Sequence, residues 1–197
     1  MAVSEPVIHI WRHPRPVAAA GRCIGRTDLP VDPRKAKRLA HRIRQHARRH
    51  NLPRELHTSA LQRGAAVGRW LARWGWVHHT DPALAEMDFG TWDGQRWVDI
   101  GEPAVSAWCS DFANYRGHGG EALSALFERC AAWLAQGDRS QARCVVGHAG
   151  WMNAARLLCL GSEPPRAASH WPAAPGYDQR LDLIVQPVGM QRSRAHR

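Results

Sequence analysis

The sequence predicts an α/β layered fold with crossover connections and a mainly parallel sheet. Three observations carry that expectation. Short apolar runs alternate with longer segments whose apolar residues recur at helical spacing. The first run, "VIHIW" (Val7 to Trp11), is β-branched, short and apolar, as a buried strand is. The strand ends then deliver Arg12-His13, Thr58-Ser59 with Arg63 just after, and His148, so three separate segments carry cationic or imidazole groups to one rim. In sheets of this kind, ligands bind beyond the carboxyl ends of the strands.

Taken in order, Pro14 and Pro16 stop the first strand, because proline cannot donate to the ladder. The stretch "AAAGRCIGRTDLPVDP" has no period and contains two glycines, so it is read as a loop. Asp32 can cap a helix whose first residue is Pro33, where the missing N–H costs nothing. That helix carries a narrow apolar stripe of Ala36, Leu39, Ala40, Ile43 and Ala47, and is otherwise basic. Glu55 to Ser59 reads as a second strand. A helix beginning near Leu61 follows it, with Val67, Trp70, Leu71 and Trp74 as its buried side. Glu121 to Gln136 reads as a helix with Leu123, Leu126, Phe127, Cys130 and Leu134 on one face. "RCVVGHAG" is a strand breaking at a turn, with "WMNAARLLCL" helical behind it. Leu181 to Gln186 is a last strand, and 188–197 a loose basic tail.

Length and composition narrow the class. The 197 residues suit one domain, and 44% apolar with 22% charged residues is ordinary for a folded globular chain. The net charge of +10 is almost all arginine, since Lys35 and Lys37 are the lysines present. Such a balance points to a phosphate-bearing partner. Cys23, Cys109, Cys130, Cys144 and Cys159 are odd in number and contain no Cys-x-x-Cys pair, which argues against a disulfide framework and a structural zinc site. No apolar run of about 18 residues is present and no signal-peptide pattern opens the chain, so a reducing cytoplasm is expected, with no membrane span.

The rim residues define a chemistry. Two arginine forks can hold one phosphoryl group bidentately. A histidine held among them is a candidate nucleophile, and a second imidazole can donate to an oxygen on which charge develops. The loop "ALAEMDFGTWDG" supplies Glu86 and Asp88; a partly buried carboxyl there has its pKa raised, as a general acid requires. His78-His79 is a weak metal candidate, because adjacent side chains on one element point in different directions. The basic helix and ten tryptophans raise nucleic acid as a partner. Trp70 and Trp74 on an apolar face and the absence of a nucleic-acid motif argue against it.

At this point the motifs resemble the histidine phosphatase superfamily, the phosphoglycerate mutase-like family. "WRHPRP" resembles its Arg-His-Gly signature, "HTSALQRG" its Ser-x-Leu-x-Arg segment, and "LAEMDFGTWDG" its Glu-bearing loop. "VVGHAG" resembles its late strand ending in His-Gly-Gly. The resemblance runs from about Val7 to Leu160 and implies a three-layer α/β/α sandwich, no metal and no organic cofactor. It implies His13 as the nucleophile, Arg12, Arg63 and His148 as the phosphate pocket, and Glu86 as acid and then base. Departures are Pro14 for glycine, Arg15 for an acidic or amide residue, Ala149 for glycine and Asp93 for glutamate. The loop "RCIGRTDLPVDP" looks like that of the alpha-ribazole phosphatase branch, which implies a small phosphorylated substrate, alpha-ribazole 5′-phosphate of cobalamin synthesis. In that reading Gly25 and Arg26 meet the substrate. Glu121, in "HGGEAL", is a weaker site candidate. A mutase reading is disfavoured because Asn114 to Gly120 is the sole short candidate for a lid. A broad-specificity or protein-phosphohistidine phosphatase and a phosphate-binding module are the alternatives. The oligomeric state is left open.

Overall fold

The computed structural model describes residues 7–136 and 141–185. The elements are β1 (Val7–Arg12), α1 (Pro33–Arg49), β2 (Glu55–Thr58), α2 (Gln62–Ala72), β3 (Val77–Thr80), α3 (Trp97–Ile100), α4 (Glu102–Ser110), α5 (Leu123–Ala135), β4 (Arg143–Gly147), α6 (Ala149–Cys159) and β5 (Arg180–Ile184). The strands form one sheet in the order β3-β2-β4-β1-β5. β1 pairs parallel with β4, as β2 does with β3 and β4; β5 alone runs antiparallel, along the outer side of β1. The expected α/β architecture with a mainly parallel sheet is therefore what forms. Among the described residues no helix is long and apolar enough to cross a membrane.

Side-chain alternation along the strands divides the core in two. Ile8, Ile10 and Val145 pack with Leu126, Phe127 and Trp133 of α5 and with Trp151, Met152 and Ala155 of α6. Trp11, Leu56, Cys144 and Val146 face the other way, onto Leu39, Ile43 and Ala47 of α1 and Val67 and Leu71 of α2. Two helical layers thus cover both faces of the sheet. The α1 stripe read from sequence, Ala36 to Ala47, is buried in full. Its cap is also the one expected: Asp32 Oδ1 accepts from the Arg34 N–H, with Pro33 at the first helical position.

Two boundaries, one packing face and two elements differ from expectation. α5 begins at Leu123, after Glu121. Trp70 and Trp74 lie at the rim of their core rather than inside it, under the cationic ends of Lys37, Arg73 and Arg44 at 5.0, 4.9 and 5.2 Å from the rings. β3 and α4 escape a reading by periodicity because neither contains a buried residue. The last strand ends at Ile184, and both Gln186 and the basic tail lie outside the described residues.

Replacing Asp32 by alanine leaves the Arg34 N–H without its cap. Urea unfolding is expected to show a loss of about 1 kcal/mol with an unchanged m-value.

Candidate active site

The parallel register sets the site. Arg12 lies opposite Gly147, and Thr58 opposite Val146, so the carboxyl ends of β1, β4 and β2 come out at one level. The next residues, His13, His148 and Ser59, are all buried. Beyond them opens a cavity of about 360 Å³ bordered by Arg12, His13, Arg63, Glu86 and Tyr177, with Arg22 among its other lining residues.

His13 extends the β1–β4 pairing by one bond, its N–H donating to Gly147 O at 3.0 Å. Its Nδ1 lies 2.8 Å from Pro14 O. A carbonyl only accepts, so Nδ1 carries the proton and Nε2 keeps its lone pair. Burial, followed by the Arg63 and Arg12 guanidinium groups, pushes the pKa down to about 3, against the Pro14 hydrogen bond. At neutral pH the ring is an uncharged base. Pro14 therefore provides the acceptor that selects the tautomer as well as stopping the strand.

The two arginines differ. Arg12 stacks on Tyr177, 3.9 Å from guanidinium carbon to ring centre, and donates to Pro175 O at 2.6 Å. Its buried Nε–H has no partner. Arg63 is buried and spends one N–H of each nitrogen on the protein: Nε to His148 Nδ1 at 3.2 Å, Nη1 to Thr27 O at 2.8 Å, and Nη2 to Gly25 O at 2.5 Å. One N–H on each terminal nitrogen is left for a ligand.

His148 stands behind Arg63 and does not border the cavity. Because its Nδ1 accepts from Arg63, its Nε2 carries the proton and donates to Ser59 Oγ at 2.8 Å. Burial, then Arg63 and His13, holds its pKa well below the usual imidazole value. Direct contact with a phosphate requires the ring to release one of those two partners. As placed, it orients Arg63 and packs 4.9 Å from the His13 ring.

Glu86 sits on the first turn of α6. Its Oε2 accepts the Gly150 N–H at 3.0 Å; its Oε1 accepts those of Trp151 at 3.3 Å and Met87 at 3.1 Å. The Gly150 and Trp151 amides belong to the end of α6 whose dipole favours negative charge, and the Met87 amide comes from the loop of Glu86 itself. Gly150 permits this seat, because a Cβ there would collide with Oε1.

Gly25 and Arg26 do not border the cavity. Gly25 is a close-approach position: a Cβ would collide with Met87 O and with the Phe89 ring. The Arg26 side chain is exposed, and its backbone N–H is held by Asp93. From this loop the cavity is bordered instead by Ile24 and by Arg22, whose guanidinium also donates to Gly94 O at 2.8 Å.

Three positioning groups were not read from the sequence. Asp93 accepts from the backbone of Gly25, Arg26 and Thr27 and from the Thr27 hydroxyl; burial raises its pKa, but those bonds outweigh it and hold the carboxyl below its usual value. Arg129 donates to Ala83 O, Ala85 O and Glu86 O and pairs with both oxygens of Glu121, so it clamps the loop carrying Glu86. Glu121 is consumed in that clamp and by the Asp88 N–H. An arginine in the middle of a mostly apolar helix was the available signal. The third group is the wall of the cavity, where Phe89, Trp97, Trp108, Phe112 and Trp171 stand in successive ring contact. The tryptophan excess that suggested base stacking is partly explained by this wall.

With this geometry established, comparison with known proteins places it. The model of the histidine phosphatase superfamily (branch 1) matches residues 8–175. No curated protein matches the chain. A solved mycobacterial glucosyl-3-phosphoglycerate phosphatase is similar in fold, with a TM-score of 0.71 and 22% identity over 90% of this chain and 89% of that one. A structure titled mycobacterial hydrolase 2 gives 0.72 and 21%, covering 90% and 81%. A protein of Thermus thermophilus gives 0.66 and 23%, covering 89% and 92%.

The lowered pKa of His13 has a consequence for stability. In the unfolded chain imidazole takes up a proton near about pH 6.5, whereas in the native protein His13 does so only near about 3. Between these limits the unfolded state binds more protons, so acidification through the window favours unfolding. Denaturant unfolding is expected to show stability falling from about pH 6.5 towards about 4, with a shallower fall in His13→Gln. Identical slopes in the two proteins would contradict the neutral assignment.

Proposed function

The chain belongs to the histidine phosphatase superfamily and is a phosphatase, and we propose that it hydrolyses a phosphomonoester through a phosphohistidine at His13. The observation that carries the reading is the pairing of a neutral His13, its Nε2 free, with the buried Nε–H of Arg12, which has no partner among the described residues, on the same cavity. A buried cationic donor without an acceptor is costly unless an anion completes it.

In the proposed reaction Arg12 and Arg63 hold the phosphate oxygens and His13 Nε2 attacks phosphorus. The bond to the leaving oxygen breaks as Glu86 delivers a proton to that oxygen. The resulting Glu86 carboxylate takes a proton from water as that water attacks the phosphohistidine, which releases phosphate and restores His13. His148 holds Arg63 from behind throughout.

For the substrate we propose alpha-ribazole 5′-phosphate. Beyond its cationic end the cavity is a continuous aromatic surface, suited to stacking a flat heterocycle. The buried Trp108 Nε1–H, also without a partner, offers one donor to an acceptor on that heterocycle. A sugar acid such as the compound in the mycobacterial neighbour's name needs several polar partners, and beyond Arg12, His13, Arg63 and Glu86 the described lining of the cavity offers one further charged side chain, Arg22.

Phosphate release is to be measured from alpha-ribazole 5′-phosphate, glucosyl-3-phosphoglycerate, 3-phosphoglycerate and p-nitrophenyl phosphate. Highest kcat/KM is expected for the first, with His13→Ala at least about 10³-fold slower on all four. Preference for either glycerate would overturn the substrate assignment. Activity retained in His13→Ala would overturn the mechanism.

Two further variants separate acid from clamp. Glu86→Gln is expected to lose about 10²–10⁴-fold in kcat on the alkyl phosphate and much less on p-nitrophenyl phosphate, whose leaving group needs little protonation. Arg129→Met, which unseats the loop without touching the cavity, is expected to lower kcat on both alkyl and aryl substrates.

A further inference from the structure

A second group of side chains with ligand chemistry lies away from the cavity. β2 and β3 pair in parallel with His57 opposite His79, and Glu55 shares the His57 face two residues earlier. The two imidazole rings stack with centroids 4.8 Å apart and 16° between planes. Glu55 Oε2 lies 3.4 Å from His79 Nε2. One ligand atom from each of the three residues falls within 4.8 Å of the other two.

We propose that Glu55, His57 and His79 form a zinc-binding site with three protein ligands and a fourth position open to solvent. Two imidazole nitrogens and one carboxylate oxygen are a donor set for Zn²⁺, whereas Mg²⁺ and Ca²⁺ take oxygen shells. Bonds of about 2.0–2.2 Å place tetrahedral ligands about 3.4 Å apart. The three groups must therefore draw together by little more than an ångström. Glu55 and His79 are exposed and make that movement by changing rotamer, while His57 is fixed against the Trp133 ring at 5.8 Å.

The electrostatics agree with the geometry. Glu55 and Asp81 bring negative charge to His57, against the Arg143 guanidinium. Asp81 adds negative potential nearby, although its side chain is already engaged with the Ala83 N–H. The adjacent His78 takes no part, since its Nε2 is 2.8 Å from Thr58 Oγ1. The expectation that neighbouring histidines diverge is correct. The ligand pair forms across strands, a juxtaposition that spacing along one strand cannot reveal.

β3 is a short edge strand joined to the sheet through β2 alone. A cation bridging His79 to Glu55 and His57 would fasten that edge, and stability would rise with its concentration. None of the three residues borders the cavity, so the site stands independently of the phosphatase reading. The other histidine group, His9, His46 and His50, is a built-in contrast. There Arg180 lies against His46, and Asp182 is already shared by His9 and Arg180, so a cation is in place.

Calorimetric titration of the whole protein with Zn²⁺ alone tests the proposal, with Co²⁺ absorption as the coordination readout. One bound ion with nitrogen and oxygen ligands is expected. Loss of a direct ligand in His79→Ala or Glu55→Gln should weaken binding by more than the roughly tenfold that loss of an outer-shell partner costs, while His50→Ala leaves it unchanged. Thermal unfolding should shift upward with Zn²⁺ in the wild type and not in His79→Ala, an exposed position where the fold is retained. No binding by the wild type, unchanged affinity in His79→Ala, or a Co²⁺ spectrum dominated by thiolate would each overturn it.

Discussion

The buried guanidinium of Arg63 is the tie on which the site depends. Taking such a charge out of water costs several kcal/mol unless geometry and hydrogen bonds offset it. Here the acceptors come from two distant segments: Gly25 and Thr27 of the long loop after β1, and His148 at the end of β4. The same loop is held by Asp93, whose own loop carries Glu86. Glu86 accepts from the first turn of α6, the helix that His148 caps. The ties therefore close into a ring, Arg63 to loop, loop to Asp93, Glu86 to α6 and His148 back to Arg63. Each member is held by the next, so Glu86 and His148 are positioned through one connected set of hydrogen bonds.

Burial gives the ring its electrostatic character. A desolvated imidazole among guanidinium groups cannot hold a second proton, so His13 and His148 are both neutral. What differs is the tautomer. Pro14 O takes the Nδ1 proton of His13 and exposes Nε2 to the cavity, whereas Arg63 occupies Nδ1 of His148 and turns its proton towards Ser59. Two histidines in nearly the same field thus take opposite tautomers through one hydrogen bond each, which in the proposed reaction makes one the nucleophile and the other an orienting group. The departure from the usual glycine at position 14 preserves this, because it is the carbonyl of that residue, not its side chain, that selects the tautomer.

The layered fold and the rim residues were legible because they are local signals. β1, α1 and β4 announce themselves by apolar runs, a cap and a helical stripe, and Arg12, His13, Arg63 and His148 follow strand ends. Glu86 needed the resemblance to single it out, since one carboxylate in a loop carries little signal of its own. Asp93 and Arg129 were invisible in their roles because these consist of backbone acceptors and donors brought from segments far away in the chain. Arg26 was misplaced for a related reason. A loop motif shows that a turn is made, but which way the Arg26 side chain faces follows from how Asp93 holds the backbone of Gly25, Arg26 and Thr27. β3 lacked the apolar pattern that marks a strand, being an exposed edge.

The cavity divides recognition from chemistry. Its cationic end suits any phosphomonoester and so discriminates little between substrates. The aromatic wall contributes stacking energy that several flat groups would share, which again separates them only modestly. A sharper distinction is available at Trp108. Its indole N–H is buried and unpartnered, so a substrate that brings an acceptor there gains a bond, and one that does not leaves the donor stranded. Discrimination by a stranded polar group exceeds what added apolar contact achieves. In the proposed reading, specificity therefore rests less on the arginines that the net charge makes conspicuous than on one nitrogen in a wall of rings.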